Sequence, residues 1–186
     1  MNILTNNTYA DAKIPESSGK YLKFNKAETV FRILDKQIEG AEGWKKIDGK
    51  NTPIRVPIGE AINVGDVDDP SRIKYFWAMP VFDYSDKQIK ILEITQKTIL
   101  KAIKSLANDK DYGDPTGYDI KILKTGEGME TEYQVTPKPP KELDKDIIKE
   151  YKAMDINLNA LYTNDDPFEK SKGKFIDEVS DAIDEV

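Results

Sequence analysis

The chain has 186 residues, of which 38% are hydrophobic and 33% are charged, and its formal net charge at pH 7 is −6. It contains no cysteine and no histidine, which excludes disulfides, the common zinc sites and catalysis by a cysteine or histidine side chain. No apolar run is long enough to span a bilayer, and the N-terminus lacks the basic and apolar regions of a signal peptide. We therefore expect a soluble, cytoplasmic protein that holds no cofactor and no metal ion, although a hard-cation site built from carboxylates remains open.

The excess negative charge lies in the last quarter of the chain. Residues 141–186 contain 7 Lys and 13 Asp or Glu, whereas residues 1–140 contain 21 basic and 21 acidic residues. Binding of a nucleic acid depends on the local potential and not on the total charge. A neutral core can therefore present a basic surface, and the net charge does not exclude a nucleic-acid partner.

The first part of the chain predicts an arm, one strand and a long connection. Residues 1–19 are polar and typical of a flexible N-terminal arm. Thr29–Ile38 is rich in β-branched and aromatic residues and is bounded by Gly40, which predicts a strand. Residues 40–72 contain several Gly, Pro and Asp residues, and they predict a connection that holds at most one short strand.

A hairpin and a helix are predicted next. Arg72–Tyr84 and Gln88–Ile94 are apolar segments separated by a polar turn, the pattern of a β-hairpin. Pro80 cannot donate a ladder hydrogen bond, so we expect it at a sheet edge or a bulge. Thr95 is the expected N-cap of a helix over residues 96–108, where apolar residues recur at helical spacing and the lysines lie largely on other faces.

A second hairpin completes the predicted domain. Tyr118–Lys124 and Thr131–Val135 flank a glycine-containing turn, and the prolines that follow should end a domain that spans residues 20–140. The order of the elements matches the OB-fold, a mainly β, partly open, five-stranded Greek-key barrel with one helix between strands 3 and 4. An α+β sandwich of the same elements is the alternative.

Several segments suggest a family. The chain resembles the OB-fold single-stranded DNA-binding proteins of tailed bacteriophages, through Phe31–Asp35, Tyr75–Pro80, Leu92–Ile99, Gly117–Ile120 and Gly126–Tyr133. The resemblance implies a protein that coats and protects exposed strand in the host cytoplasm during phage DNA replication, recombination or repair, without catalysis. It also implies an acidic tail that recruits replication or recombination proteins and competes with DNA. The T-even relatives carry a zinc subdomain, which this chain cannot build, so the resemblance is to a zinc-free variant.

Aromatic and cationic side chains are the candidate DNA contacts, because sequence-tolerant binding of a single strand combines base stacking with phosphate contacts. Tyr75 and Trp77 share one face of a predicted strand, although either face of that strand could line the core. Trp44 lies beside Lys45 and Lys46 in a glycine-rich segment. These three residues could form a mobile aromatic and cationic clamp, or Trp44 could simply pack in a loop.

Further candidate phosphate contacts lie on or beside the predicted strands. Arg32 alternates with Phe31 and Ile33, so we expect its side chain to point away from the core. The other candidate cations are Arg55, Arg72, Lys74, Lys90, Lys121 and Lys124. Each of these cations could instead be an ordinary solvated residue, but together they favour a basic stripe on one face of the barrel.

Residues 141–186 are predicted to form an acidic, partly helical tail. Residues 141–162 have helix-like apolar spacing and could pack back on the core. The last twelve residues contain five acids, no basic residue and an apolar face, which suits docking into a basic groove of a partner or of the protein itself. The candidate partner contacts are Asp165, Asp166, Phe168, Phe175, Ile176, Val179 and Ile183.

Two other classes of function compete with DNA binding. The protein could be a phage interaction or adaptor module whose acidic surface mimics a nucleic acid. It could also be a metal-dependent nuclease that uses carboxylates, but no specific catalytic constellation occurs. Asp66, Asp68 and Asp69 lack the glycine and the distal glutamate of a calcium loop, so they favour a solvated acidic loop. We therefore expect a protein that is not an enzyme.

Overall fold

The computed structural model describes residues 19–170, which form eight strands and two α-helices. The α-helices are α1 (Lys97–Ala107) and α2 (Lys145–Met154), and a 3₁₀-helix follows at Leu158–Tyr162. In this part of the chain, no helix is both long and apolar enough to cross a membrane. The strands are β1 (Tyr21–Leu22), β2 (Glu28–Ile33), β3 (Ile38–Ile47), β4 (Lys50–Pro57), β5 (Lys74–Asp83), β6 (Gln88–Ile94), β7 (Asp119–Thr125) and β8 (Glu132–Pro137).

The strands form one mixed sheet in the order β1-β6-β5-β2-β7-β8, with β3 attached to β5 and β4 to β3. Only β1 and β6 run parallel to each other; the other described pairs are antiparallel. Within residues 19–170, the end strands β1 and β8 do not pair with each other, so the sheet does not close into a barrel. The prediction of a mainly β protein is confirmed, whereas the predicted number of five strands is wrong.

The additional strands lie mainly in the predicted connection. Residues 40–57 form most of the long hairpin of β3 and β4. Its glycines and prolines are typical of a connection, so the sequence did not predict these strands. Gly40 is required there because a Cβ atom would lie 1.9 Å from the carbonyl oxygen of Val56. Pro53 and Pro57 are tolerated because β4 pairs only with β3 in the described sheet and is an edge strand.

The predicted hairpins and the helix α1 are confirmed to within a few residues. Two details differ. The N-cap of α1 is Gln96 and not Thr95. Pro80 lies in the inner strand β5, between the part that pairs with β3 and the part that pairs with β2. Its carbonyl accepts a hydrogen bond from the Leu34 amide at this interruption.

The buried apolar side chains of β5 belong to two cores, one on each face of the sheet. Met79 and Val81 belong to the main core, between the sheet and α1. Phe76 and Ala78 belong to a second core on the other face, where Leu161 covers them.

Residues 141–170 pack against the sheet, although the sequence places them in the tail. The Tyr162 hydroxyl donates to the backbone carbonyl of Glu39 at 2.8 Å, and the Asn164 side chain donates to the carbonyl of Pro53 at 2.9 Å. The predicted tail helix is present as α2. The predicted N-terminal arm, apart from Gly19, lies outside the described residues.

Candidate nucleic-acid interface

A groove of about 1340 Å³ runs between α1 and the strands β3 and β5. Its floor is apolar and includes Ile33, Met79 and Ile103, which are buried members of the main core. Aromatic and charged side chains form its walls. The charged lining residues are Lys36, Lys74, Lys97, Lys101, Lys104, Asp35, Glu39 and Asp114.

The helix α1 supplies one cationic wall of the groove. Ile99, Leu100 and Ile103 bury one side of the helix in the core. Its lysines recur at positions i, i+4 and i+7, and all three are exposed and line the groove; they are Lys97, Lys101 and Lys104. Because an α-helix rises about 1.5 Å per residue, this row is about 10 Å long. These lysines are not among the predicted DNA contacts, although their spacing, like that of the apolar residues, follows the helical repeat.

An aromatic pair forms the opposite wall. Tyr75 is 41% exposed, and Trp77 is half-buried on the same face of β5. The Tyr75 hydroxyl donates to the Glu39 carboxylate, and the Trp77 Nε1 lies 2.9 Å from the Tyr75 hydroxyl and 3.3 Å from Glu39 Oε2. Burial and the hydrogen bond to Glu39 raise the pKa of Tyr75. These bonds hold both rings at the groove surface.

Two predicted cations lie in or beside the groove. Lys74 lines it directly. The side chain of Arg72 is 82% exposed next to the lining residues Ser71 and Ile73, and its guanidinium lies 3.4 Å from the Asp69 carboxylate.

Arg32 points away from the core residues Phe31 and Ile33, as predicted, but it is not at the surface. Its side chain is fully buried, with Nε 2.8 Å from the Asp119 carboxylate and further hydrogen bonds to the carbonyls of Thr116 and Lys141. Side chains alternate along β2 as predicted. The segments that carry Thr116, Asp119 and Lys141 cover the face of β2 on which Arg32 lies.

Asp119 is the centre of this buried network. Burial raises the pKa of its carboxyl group, but hydrogen bonds from Lys141, Tyr84 and Arg32 outweigh that effect and place the pKa below its ordinary value. Burial and the bond to Asp119 raise the pKa of Tyr84 to about 12. Asp119 therefore neutralises the charge of Arg32 inside the fold.

Arg55 and Lys90 are also engaged in ion pairs. The Arg55 guanidinium lies 2.8 Å from Glu42 and 2.7 Å from Glu93. The Lys90 ammonium lies 2.9 Å from Asp83 and also contacts Asp86. Neither cation lines the groove formed by residues 33–116, and their charges are neutralised locally.

The predicted clamp lies on the hairpin of β3 and β4 and not in a loop. Trp44 is 45% exposed. Side chains alternate along β3, and Trp44 is five residues from Glu39, so the two point to opposite faces. The Lys45 ammonium lies 3.3 Å from the Gly65 carbonyl, and the Lys46 side chain is exposed.

The last two predicted cations, Lys121 and Lys124, are half-buried on β7 and do not belong to the groove lining in the described structure. Of the twelve predicted DNA contacts, the groove brings together Lys74, Tyr75 and Trp77.

The described part of the predicted tail is held by contacts within the chain. Asp166 lies 2.6 Å from the Lys20 ammonium, which is 5.4 Å from the centre of the Phe168 ring. Asp165 accepts a hydrogen bond from Thr163 at 2.6 Å. Phe175, Ile176, Val179 and Ile183 lie outside the described residues.

The fold and the groove thus define a mainly β protein with an aromatic and cationic cleft. A 55-residue segment is 42% identical to the "Probable ssDNA-binding protein" of Escherichia phage T5. The match covers 30% of this chain and 21% of that relative, so it spans about a fifth of the relative's length. No model of a known protein family matches the chain, and no solved structure matches it significantly.

Proposed function

We propose that the protein binds single-stranded DNA in the groove between α1 and β5. The observation that carries the proposal is the pairing of two fixed aromatic rings, Tyr75 and Trp77, with a row of lysines on the opposite wall. Bases stack on aromatic side chains and contribute about 1–3 kcal/mol each, while cations follow the phosphates. The segment shared with the phage T5 relative supports the same activity.

The proposal includes an open OB-type fold. The pairings of β2 with β5 and β7, of β5 with β6, and of β7 with β8, with α1 between β6 and β7, support this fold. The hairpin of β3 and β4 is then an insertion between the first two strands of a Greek-key barrel.

The biological part of the proposal follows from the resemblance. The protein coats exposed strand during phage DNA replication, recombination or repair, is not an enzyme, and recruits partner proteins through its acidic tail, which also competes with DNA. Because Asp166 and Phe168 are engaged within the fold, the role of the tail rests on the sequence of residues 171–186. Their surplus of acids supports it.

The two tryptophans allow the groove to be tested directly, because Trp44 and Trp77 are the only ones in the chain. In a Trp44→Phe protein the remaining Trp77 reports on the groove. In a Trp77→Phe protein the remaining Trp44 reports on the hairpin of β3 and β4. On titration with oligodeoxythymidine of about eight nucleotides at low salt, within the usual site size of such folds, we expect quenching of Trp77 and unchanged fluorescence of Trp44. Quenching of Trp44 alone would place the DNA outside the groove.

An affinity measurement complements the fluorescence titration. Tyr75→Ala removes one stacking platform and should weaken binding about tenfold, whereas Trp44→Ala removes an aromatic of similar exposure from outside the groove and should change it little. If the unaltered protein shows no binding to the strand at low salt, the proposed function is wrong and a role as a protein-interaction module is favoured.

A further inference from the structure

One carboxylate of the groove, that of Glu39, lies next to the aromatic pair, whereas most of the charged lining residues are lysines. Glu39 lies on β3 directly opposite Trp77 on β5, and its Oε2 accepts hydrogen bonds from Trp77 and from the Tyr75 hydroxyl. Within residues 19–170 the second carboxylate oxygen, Oε1, accepts no hydrogen bond. The carboxylate is therefore held beside both aromatic rings by Oε2, Glu39 lines the groove, and Oε1 has no partner in the described structure.

We propose that Glu39 recognises the amino groups of bases stacked on Tyr75 and Trp77, and so makes the groove prefer cytosine to uracil or thymine. This inference rests on the proposed function. A base on these rings presents its edge to the adjacent carboxylate. Carboxylates pair well with the N4 amino group of cytosine, because that group is a donor.

The chemistry of the competing base gives the preference its direction. Uracil and thymine place a carbonyl oxygen where cytosine has its amino group, and this oxygen is an acceptor like Glu39 Oε1. Two facing acceptors leave the buried edge of the base without a partner, which costs binding free energy. The negative charge of Glu39 also repels phosphates, and it directs the backbone towards the lysines of α1.

The test compares strands that differ only at the edge of the base. Oligodeoxycytidine and oligodeoxyuridine of about ten nucleotides have bases of the same size, and neither carries the thymine methyl group. We expect the unaltered protein to bind the cytidine strand about fivefold more tightly or better, as measured by fluorescence anisotropy at one salt concentration. In Glu39→Gln this ratio should fall close to one, because the amide can both donate and accept.

Asp35→Asn is the matched control, because Asp35 is another acidic lining residue and accepts a hydrogen bond from Tyr151 rather than from the aromatic pair. It removes the same charge, so it should strengthen binding of both strands and keep the ratio. An equal affinity of the unaltered protein for both strands, or an unchanged ratio in Glu39→Gln, would overturn the inference and leave the proposed function standing. Failure of both strands to bind the unaltered protein would overturn the proposed function itself.

Discussion

At the scale of single residues, the fold places the charged groups of three predicted DNA contacts, Arg32, Arg55 and Lys90, in largely buried ion pairs. Arg32 has no exposed surface, and the side chain of its partner Asp119 is only 3% exposed. An ion pair taken out of water contributes little net stability, but removing one partner leaves an uncompensated charge inside the protein. The buried cations therefore have a structural role, and we expect their substitution to lower the stability of the fold rather than to remove a direct DNA contact.

Arg32→Met tests this role. We expect it to lower the free energy of unfolding by about 3–5 kcal/mol, because Asp119 loses its buried partner. Arg72→Met is the control, since Arg72 makes an exposed ion pair with Asp69 and such pairs contribute about 0–1 kcal/mol. Urea titrations followed by circular dichroism measure both changes. Equal midpoints for the two variants would contradict the structural role of Arg32.

Arg32 also shows what a single sequence can and cannot predict at this scale. The alternation of Phe31, Arg32 and Ile33 correctly placed them on two faces of β2. It could not show that both faces are covered, because the partners of Arg32 come from residues 116–141. Long-range pairing of this kind leaves no local pattern. Conversely, Tyr75 and Trp77 were found as candidates, and only the position of α1 and β3 decided which face of their strand forms the groove.

At the scale of elements, the segment after β8 is part of the packed structure. Leu161 is 3% exposed and covers Phe76, Ala78 and Ile91, which would otherwise be an apolar patch on the outer face of the sheet. The hydroxyls of Tyr151 and Tyr162 donate to Asp35 and to the backbone of Glu39, two residues that line the groove. The segment therefore supports both the sheet and one wall of the groove.

Leu161→Ala tests whether this segment is an integral element or a detachable tail. Deleting a buried leucine side chain costs about 2–5 kcal/mol, and we expect that loss in the free energy of unfolding. Ile148→Ala on α2 is the control, because Ile148 is 37% exposed and its loss should cost much less. A stability of Leu161→Ala close to that of the control would mean that the segment contributes little to folding.

Elements of regular pattern were predictable, and those that break the pattern were not. The hairpin of β5 and β6 is rich in β-branched and aromatic residues and is broken only by Pro80, and α1 has helical spacing. The hairpin of β3 and β4 contains Gly40, Gly43, Pro53 and Pro57, residues that signal turns in isolation. They are accommodated because Gly40 allows a close approach of the Val56 backbone and because β4 is an edge strand in the described sheet. Tertiary pairing overrides local propensity here.

At the scale of the whole molecule, the distribution of charge matters more than its sum. The net charge is −6, yet five lysines line the groove against three acids. Electrostatic attraction of a single strand depends on the phosphates that these lysines neutralise, and each neutralised phosphate releases condensed counterions. The local potential of the groove should therefore govern the salt dependence of binding, and the total charge should not.

A pair of triple variants with the same net charge separates these two alternatives. Replacing Lys97, Lys101 and Lys104 by Gln preserves helix propensity and should reduce the slope of log affinity against log salt by about 2, since each phosphate contact to a single strand contributes about 0.7. The control replaces three exposed lysines that do not line the groove, Lys87, Lys138 and Lys149, and should leave the slope unchanged. Titrations with oligodeoxythymidine at several salt concentrations measure both slopes. An equal reduction in the two variants would show that binding follows the total charge and that the lysines of α1 do not contact the phosphates.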